Sequence, residues 1–235
     1  MQRRKLLLDV LPFFKEKHRL FVLYGQRGSG KTTLLIQILF ELINQGGSTS
    51  YLSLVEKLRD IKRLRTLSNA YTARHLNNVK LKFCSEESLI KDRAEFLTHL
   101  IYDIFKGTCE DPSVFIDDFF SISLLSKDLS NMSKNLPLVL VLLAKCVSVS
   151  PCVLITIPEN VHLLPLYWEM LIEFDPLFLR LRKARKLRDL FRVELTNVPE
   201  TGKTWKKEDV EINTDHLALL HLSEEGVFSV VKKRK

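Results

Sequence analysis

The sequence is poor in most of the features that would assign its class at once. Its 235 residues contain only four cysteines, eight glycines and eight prolines. Cys84, Cys109, Cys146 and Cys152 show no metal-type spacing and are too few for a disulfide scaffold, so a reducing compartment is expected. The few glycines and prolines form no biased tract, which excludes collagen-like, mucin-like and wholly disordered chains. Long hydrophobic runs are also missing. The longest, Leu136 to Ala144, is too short to span a bilayer and contains Pro137. The opening Gln-Arg-Arg-Lys leads into a few leucines before Asp9, without a small-residue cleavage site, so no secretory signal is expected. The six histidines have no metal-ligating spacing.

What remains is ordinary globular material. With 46% hydrophobic and 27% charged residues, the chain can build one domain around its own core. The net charge of +8 sits mostly at the ends: Arg3, Arg4 and Lys5 on one side, Lys232, Lys233, Arg234 and Lys235 on the other. Between them, 29 bases meet 28 acids. The body's positive charge is concentrated between Arg180 and Arg192, where Arg180, Arg182, Lys183, Arg185, Lys186, Arg188 and Arg192 oppose only Asp189.

Hydrophobic period and punctuation alternate strands with helices. Strands are expected at 20–24, 49–55, 79–83, 113–116 and 152–157, and helices at 32–44, 58–70, 88–105 and 136–147. The strands read as continuous apolar runs, as strands covered on both faces do. The expected fold is α/β, with a mainly parallel central sheet flanked by helices. Its end differs: strands at 190–195, 216–222 and 227–231, the last two joined by Ser-Glu-Glu-Gly, predict a C-terminal antiparallel hairpin. Residues 203–213 are polar and expected as loop, and Gly202-Lys203-Thr204, which lacks the upstream glycine and strand, is not a second phosphate motif.

One motif carries chemistry. Residues 25–32, Gly-Gln-Arg-Gly-Ser-Gly-Lys-Thr, satisfy G-x-x-x-x-G-K-[ST], with an apolar strand before and an apolar helix after. Gly25, Gln26, Arg27, Gly28, Ser29 and Gly30 form the loop, whose glycines let successive N–H groups turn inward as an anion nest. The helix N-terminus adds partial positive charge. Lys31 is placed to reach β- and γ-phosphates, Thr32 to hold Mg2+, and Thr33 to complete the contacts of the first turn. These are the residues of an ATP·Mg2+ site. A second strand, Ser-Val-Phe-Ile, ends in Asp117, the candidate metal-side and catalytic carboxylate; Asp118 beside it is a lesser candidate. Glu56, after Tyr-Leu-Ser-Leu-Val, is placed either as a general base that orients water or as a helix N-terminal acid.

Other nucleotide-binding classes need features this chain lacks. It has neither a guanine-reading Asn-Lys-x-Asp nor a transporter-type Leu-Ser-Gly-Gly. A small-molecule kinase needs an arginine-rich lid, and the run from Arg180 to Arg192 leaves that class open as the alternative. So is a module that uses nucleotide for assembly without hydrolysis.

Over roughly residues 8–231 the order of motifs resembles the P-loop ATPase core of RecA-type recombinases and their eukaryotic paralogues. The phosphate loop and its helix match first. Residues 46–54 then resemble the family's second core strand, 78–87 the strand leading into a serine-capped helix, and 114–120 the strand bearing its magnesium acid. Residues 152–158 resemble the sensor strand, and 217–231 the closing hairpin. Where recombinases carry Thr-Asn-Gln, this chain has Thr156-Ile157-Pro158, so the polar sensor is expected to be absent. The chain is most similar to the small ATPase subunit of Shu-type complexes. That resemblance implies a SWIM-domain zinc protein and another recombinase paralogue as partners, a nuclear location, and support of recombinase filaments on single-stranded DNA in homologous-recombination repair. Any ATPase activity would be weak and DNA-dependent.

The basic run is the candidate nucleic-acid contact. Leu179, Leu181, Leu187, Leu190 and Phe191 interleave with its bases, so one side can pack while the other meets phosphate; a solvated helix face is the competing reading. The C-terminal Lys-Lys-Arg-Lys reads as a nuclear import signal, a phosphate-binding tail or a solubilising end. By domain, residues 1–19 form an N-terminal segment, 20–231 the core and 232–235 a basic tail. In the first, Leu6 to Phe14 either docks on a neighbour through Phe13 or Phe14, or packs as a short helix on its own core. Residues 161–178, with Trp168 and Phe174, suit a protein interface or local core better than a DNA loop.

Overall fold

A computed structural model of the chain describes residues 7–9, 11, 19–45, 50–55, 66, 79–84, 93–106, 112–119, 129–159, 170–184, 189–196, 214–223 and 227–233. Their strands are β1 (Arg19–Gly25), β2 (Ser50–Val55), β3 (Val79–Cys84), β4 (Ser113–Ile116), β5 (Cys152–Pro158), β6 (Leu177–Lys183), β7 (Leu190–Thr196), β8 (Thr214–Leu222) and β9 (Phe228–Lys233). Three helices are described, α1 (Lys31–Asn44), α2 (Arg93–Phe105) and α3 (Leu129–Val149), and a 3-10 turn spans Leu7–Asp9.

These strands form one sheet in the order β3-β2-β4-β5-β1-β6-β7-β8-β9. Pairing is parallel from β3 through β6 and antiparallel from β6 through β9. The continuous apolar runs have the cause expected of them: β4 is buried at every residue, and β5 from Cys152 through Ile157, because both faces are covered. On one face, Phe21, Leu23, Phe115 and Leu154 pack with Leu34, Leu35 and Ile38 of α1. On the other, Leu20, Val22, Val114 and Ile155 meet Leu97, Leu100 and Ile104 of α2 and Val139, Leu142 and Cys146 of α3. The named residues of α2 and α3 recur at three-and-four spacing, as on one apolar face, whereas α1 is buried at every residue from Thr33 through Glu41.

The mainly parallel α/β sheet read from the sequence is therefore present, with three differences. The helix expected from residue 136 begins at Leu129 and runs through Pro137. Proline there gives up the hydrogen bond to the preceding turn and crowds that turn's carbonyl, and its exposed position lets water reach the carbonyl left without a donor. Strand β6, which was not expected, continues the parallel sheet beside β1. Leu179 and Leu181 are buried on the α1 side of the sheet, and of the alternate residues Phe178 is buried on the other side while Arg182 is exposed, a period-two pattern concealed by the arginines. The C-terminal hairpin is real, closed by the Ser223 N–H donating to the Val227 carbonyl at 3.0 Å, but it ends a longer antiparallel run of four strands.

Leu7, Leu8 and Leu11 are buried against the α1 face, so this part of the N-terminal segment packs on its own core. Phe13, Phe14, Trp168, the helix expected at 58–70 apart from Thr66, which is helical, and the loop at 203–213 lie outside the described residues. Met170 and Leu171 join the core under α2 and α3, with Phe174 packed against them. No helix among the described residues is long and apolar enough to cross a membrane.

Cys146 in α3 and Cys152 in β5 are free and buried, and burial pushes both thiols up from 9.0 to about 12. In the native chain they are expected to resist alkylation at neutral pH and to react once urea unfolds it, which peptide mapping of the alkylated protein would show. Because the unfolded thiols ionise first, these two groups leave stability unchanged below pH 9. They lower it as pH rises from about 9 to about 12.

Candidate functional site

The loop at residues 25–30 leaves the carboxyl end of β1, in the middle of the sheet, and runs directly into α1. Two glycines are required there by their surroundings. A side chain at Gly25 would run into the Leu181 carbonyl of β6. Gly30 has φ 87°, and a Cβ on it would lie 2.9 Å from the ring of Phe228 on β9. Gly30 also brings no side chain to cap α1, so the N–H groups of the first turn face the loop.

Around this backbone the predicted residues take distinct places. The Lys31 ammonium donates to the carbonyls of Gly25, at 2.7 Å, and Gln26, at 3.0 Å. Gln26, Arg27 and Gly28 are exposed on the rim, whereas Ser29 and Thr33 are buried. The buried Ser29 hydroxyl has no hydrogen-bond partner among the described residues. Thr32 donates its hydroxyl to Asp117 Oδ2 at 2.9 Å, although 85 residues separate them. Strand β5 lies between β4, which Asp117 follows, and β1, which feeds the loop. It contributes Thr156, whose hydroxyl donates to Asp117 Oδ1 at 2.6 Å and accepts the Asp118 N–H at 2.8 Å. Asp118 takes the left-handed conformation, φ 49°, which aspartate tolerates better than most residues.

Thr156 corrects one expectation. The sensor strand lacks the Asn-Gln pair, yet a polar residue of that strand does touch the candidate metal acid. A lone hydroxyl in an otherwise apolar, fully covered strand was the signal available in the sequence, since such a group is expensive to bury without a partner. Glu56 lies outside the described residues.

The basic run is also rearranged. It is not one helix face but two antiparallel strands, with Arg182 paired opposite Arg192 and Lys183 opposite Phe191. Arg182, Lys183 and Arg192 are exposed. Arg180, by contrast, is half-buried and bound by Glu159 at the end of β5, its Nε donating to Oε1 at 3.0 Å. Burial works against its charge, but the hydrogen bond and charge of Glu159 outweigh it and hold the pKa above the ordinary arginine value. Arg185, Lys186 and Arg188 lie outside the described residues. The described bases Arg180, Arg182, Lys183 and Arg192 are built into the sheet and not into a separate lid of the kind the kinase alternative needs. Since Tyr24 pairs with Arg180, Arg182 and Lys183 continue β6 past the end of β1, beside the loop. Among the described residues, no group of three or more histidine, cysteine or acidic residues gathers as a metal cluster.

A lysine held by a loop that runs into a helix N-terminus, with a hydroxyl and a carboxylate that meet across the sheet, can hold a polyanion together with a hard divalent cation. No family model matches the sequence, and no curated protein matches it. Solved structures do. Flagellar accessory protein FlaH from Methanocaldococcus jannaschii superposes with a TM-score of 0.66 at 12% identity, covering 99% of this chain and 97% of that one. KaiC-like protein PH0186 from Pyrococcus horikoshii OT3 gives 0.58 at 14%, covering 92% and 91%. At such identities the likeness concerns the fold, which is that of the RecA- and KaiC-like proteins.

Proposed function

We propose that the chain binds ATP with Mg2+ at the loop of residues 25–32 and acts as a recombinase-paralogue accessory factor in homologous-recombination repair. The observation that carries the nucleotide reading is the meeting of Thr32 and Asp117 at 2.9 Å beneath a loop that holds Lys31. The donor set fits the ligand: the uncapped N-terminus of α1 and Lys31 for phosphate oxygens, the Thr32 hydroxyl oxygen for the metal, and Asp117 for a metal-bound water. The orphaned Ser29 hydroxyl lies in the same loop. Bound Mg2+ supplies neutralisation of charge on the phosphate oxygens. Lys31 would exchange its two carbonyl partners for phosphate, and Asp117 would keep both oxygens as acceptors.

The finer reading is supported by the resemblance to the small Shu-type ATPase. With it come the SWIM-domain zinc protein and a second recombinase paralogue as partners, and the nucleus as location. Exposed Arg182, Lys183 and Arg192 support contact of single-stranded DNA beside the loop. The test is ATP turnover by the purified chain with and without single-stranded DNA, beside Lys31→Ala. DNA-stimulated turnover that the variant lacks is expected; turnover indifferent to DNA would overturn the repair reading. The double variant Arg182→Glu/Arg192→Glu is expected to weaken single-stranded DNA binding about tenfold or more at low salt, less as salt rises. Fluorescence anisotropy with a labelled oligonucleotide measures this, and unchanged affinity would remove DNA from this surface.

A further inference from the structure

We infer that Thr156 is a positioning residue of the metal side of this site: its hydroxyl sets the rotation of the Asp117 carboxylate, so that one oxygen is kept for Thr32 and the cation. The inference rests on the nucleotide reading above and assigns a task to a residue outside the loop and outside the acid itself.

The proton count settles the direction of the bonds. Thr156 is 1% exposed, and its hydroxyl accepts the Asp118 N–H at 2.8 Å. Its single proton then goes to Asp117 Oδ1 at 2.6 Å. Oδ2 accepts from Thr32 at 2.9 Å. The terminal torsion of an aspartate is a broad, two-fold one, so a carboxylate held at one oxygen alone can turn. Thr156 holds Oδ1 while Thr32 holds Oδ2, so both oxygens are placed. The left-handed turn at Asp118 completes the arrangement, because it aims the backbone N–H at the same hydroxyl and fixes which way it donates. The location follows from strand order, since β5 is the one strand between the loop strand and the acid strand. Threonine and valine have nearly the same shape, and residues 152–155 and 157 around this position are apolar and buried. Packing therefore accounts for the volume at 156 and not for the hydroxyl.

Thr156→Val deletes the hydroxyl and keeps the shape. The experiment titrates Mg2+ into the 235-residue chain with a fluorescent ATP analogue and, separately, measures analogue binding in EDTA. The expected result is an Mg2+ midpoint raised about tenfold in Thr156→Val, with metal-free binding unchanged and the wild-type midpoint restored in Thr156→Ser, as for a charge-assisted hydrogen bond. A Thr156→Val midpoint equal to wild type, or a Thr156→Ser midpoint equal to that of valine, would overturn the inference and leave the nucleotide reading intact. Wild-type protein that binds no analogue under any condition would overturn both. Where Thr156→Val fails to fold by thermal melting, Thr156→Ala beside Thr156→Ser makes the same comparison. Loss of folding in both valine and alanine variants would make Thr156 purely structural and end the proposal.

Discussion

Replacing Lys31 with alanine is expected to weaken ATP binding about a hundredfold and to leave the fold intact, because Lys31 is the charged donor aimed into the loop. Its ammonium is held by two backbone carbonyls of the loop, Gly25 and Gln26, and by no part of the hydrophobic core. Those bonds are partly or fully exposed, so losing them costs little stability. Losing a positive charge among phosphate oxygens costs far more, since no other described lysine or arginine is held inside the loop; Arg27 is exposed on its rim. Isothermal titration with ATP and Mg2+, beside a thermal melt without nucleotide, separates the two effects. Equal affinity in the variant would mean that the loop is a structural turn.

Gln37→Ala is expected to give the largest loss of stability of any change considered, about 3 kcal/mol or more by urea denaturation. Gln37 is 1% exposed on α1, and its amide makes both backbone bonds of Phe228: Nε2 donates to the Phe228 carbonyl and Oε1 accepts the Phe228 N–H, each at 2.8 Å. The same Nε2 lies 3.3 Å from Oε1 of Glu41, also 1% exposed, whose Oε2 accepts the Leu8 N–H at 3.0 Å. One buried polar chain thus joins the N-terminal turn, the helix after the loop and the start of β9. Alanine would strip the two backbone groups of Phe228 of these side-chain partners and loosen Glu41, and each buried polar group left unpaired costs about 1–3 kcal/mol. The effect reaches the site because the Phe228 ring is the surface against which Gly30 lies. A loss of less than about 1 kcal/mol would mean that water or a shifted β9 replaces these bonds.

The parts legible in the sequence were those written in local pattern. Eight contiguous residues spelled the loop, an apolar run before them spelled β1, and Asp117 followed four residues that read as a buried strand. What was concealed depends on distant partners. Gln37 and Glu41 look like polar residues on an amphipathic helix; only the approach of Leu8 and Phe228 shows why they are buried. Thr156 stands where the family pattern has larger polar residues, and its value comes from Asp117, 39 positions away in sequence. Strand β6 was hidden by composition, because Leu-Arg-Leu-Arg-Lys reads as a charge run before it reads as alternation. The same strand divides the basic segment into Arg180, bound by Glu159, and the exposed Arg182 and Lys183. The helix through Pro137 was cut short for a related reason: a proline signals a helix start when only its own neighbourhood is weighed.

The measurement that bears most directly on the central claim is equilibrium dialysis of labelled ATP against the purified 235-residue chain, with Mg2+ and with EDTA. Saturable binding of one ATP per chain, tightened by Mg2+ and abolished by an excess of unlabelled ATP, is the predicted result. No saturable binding with Mg2+ present would contradict the account, and would leave the Lys31, Thr32 and Asp117 constellation as scaffolding.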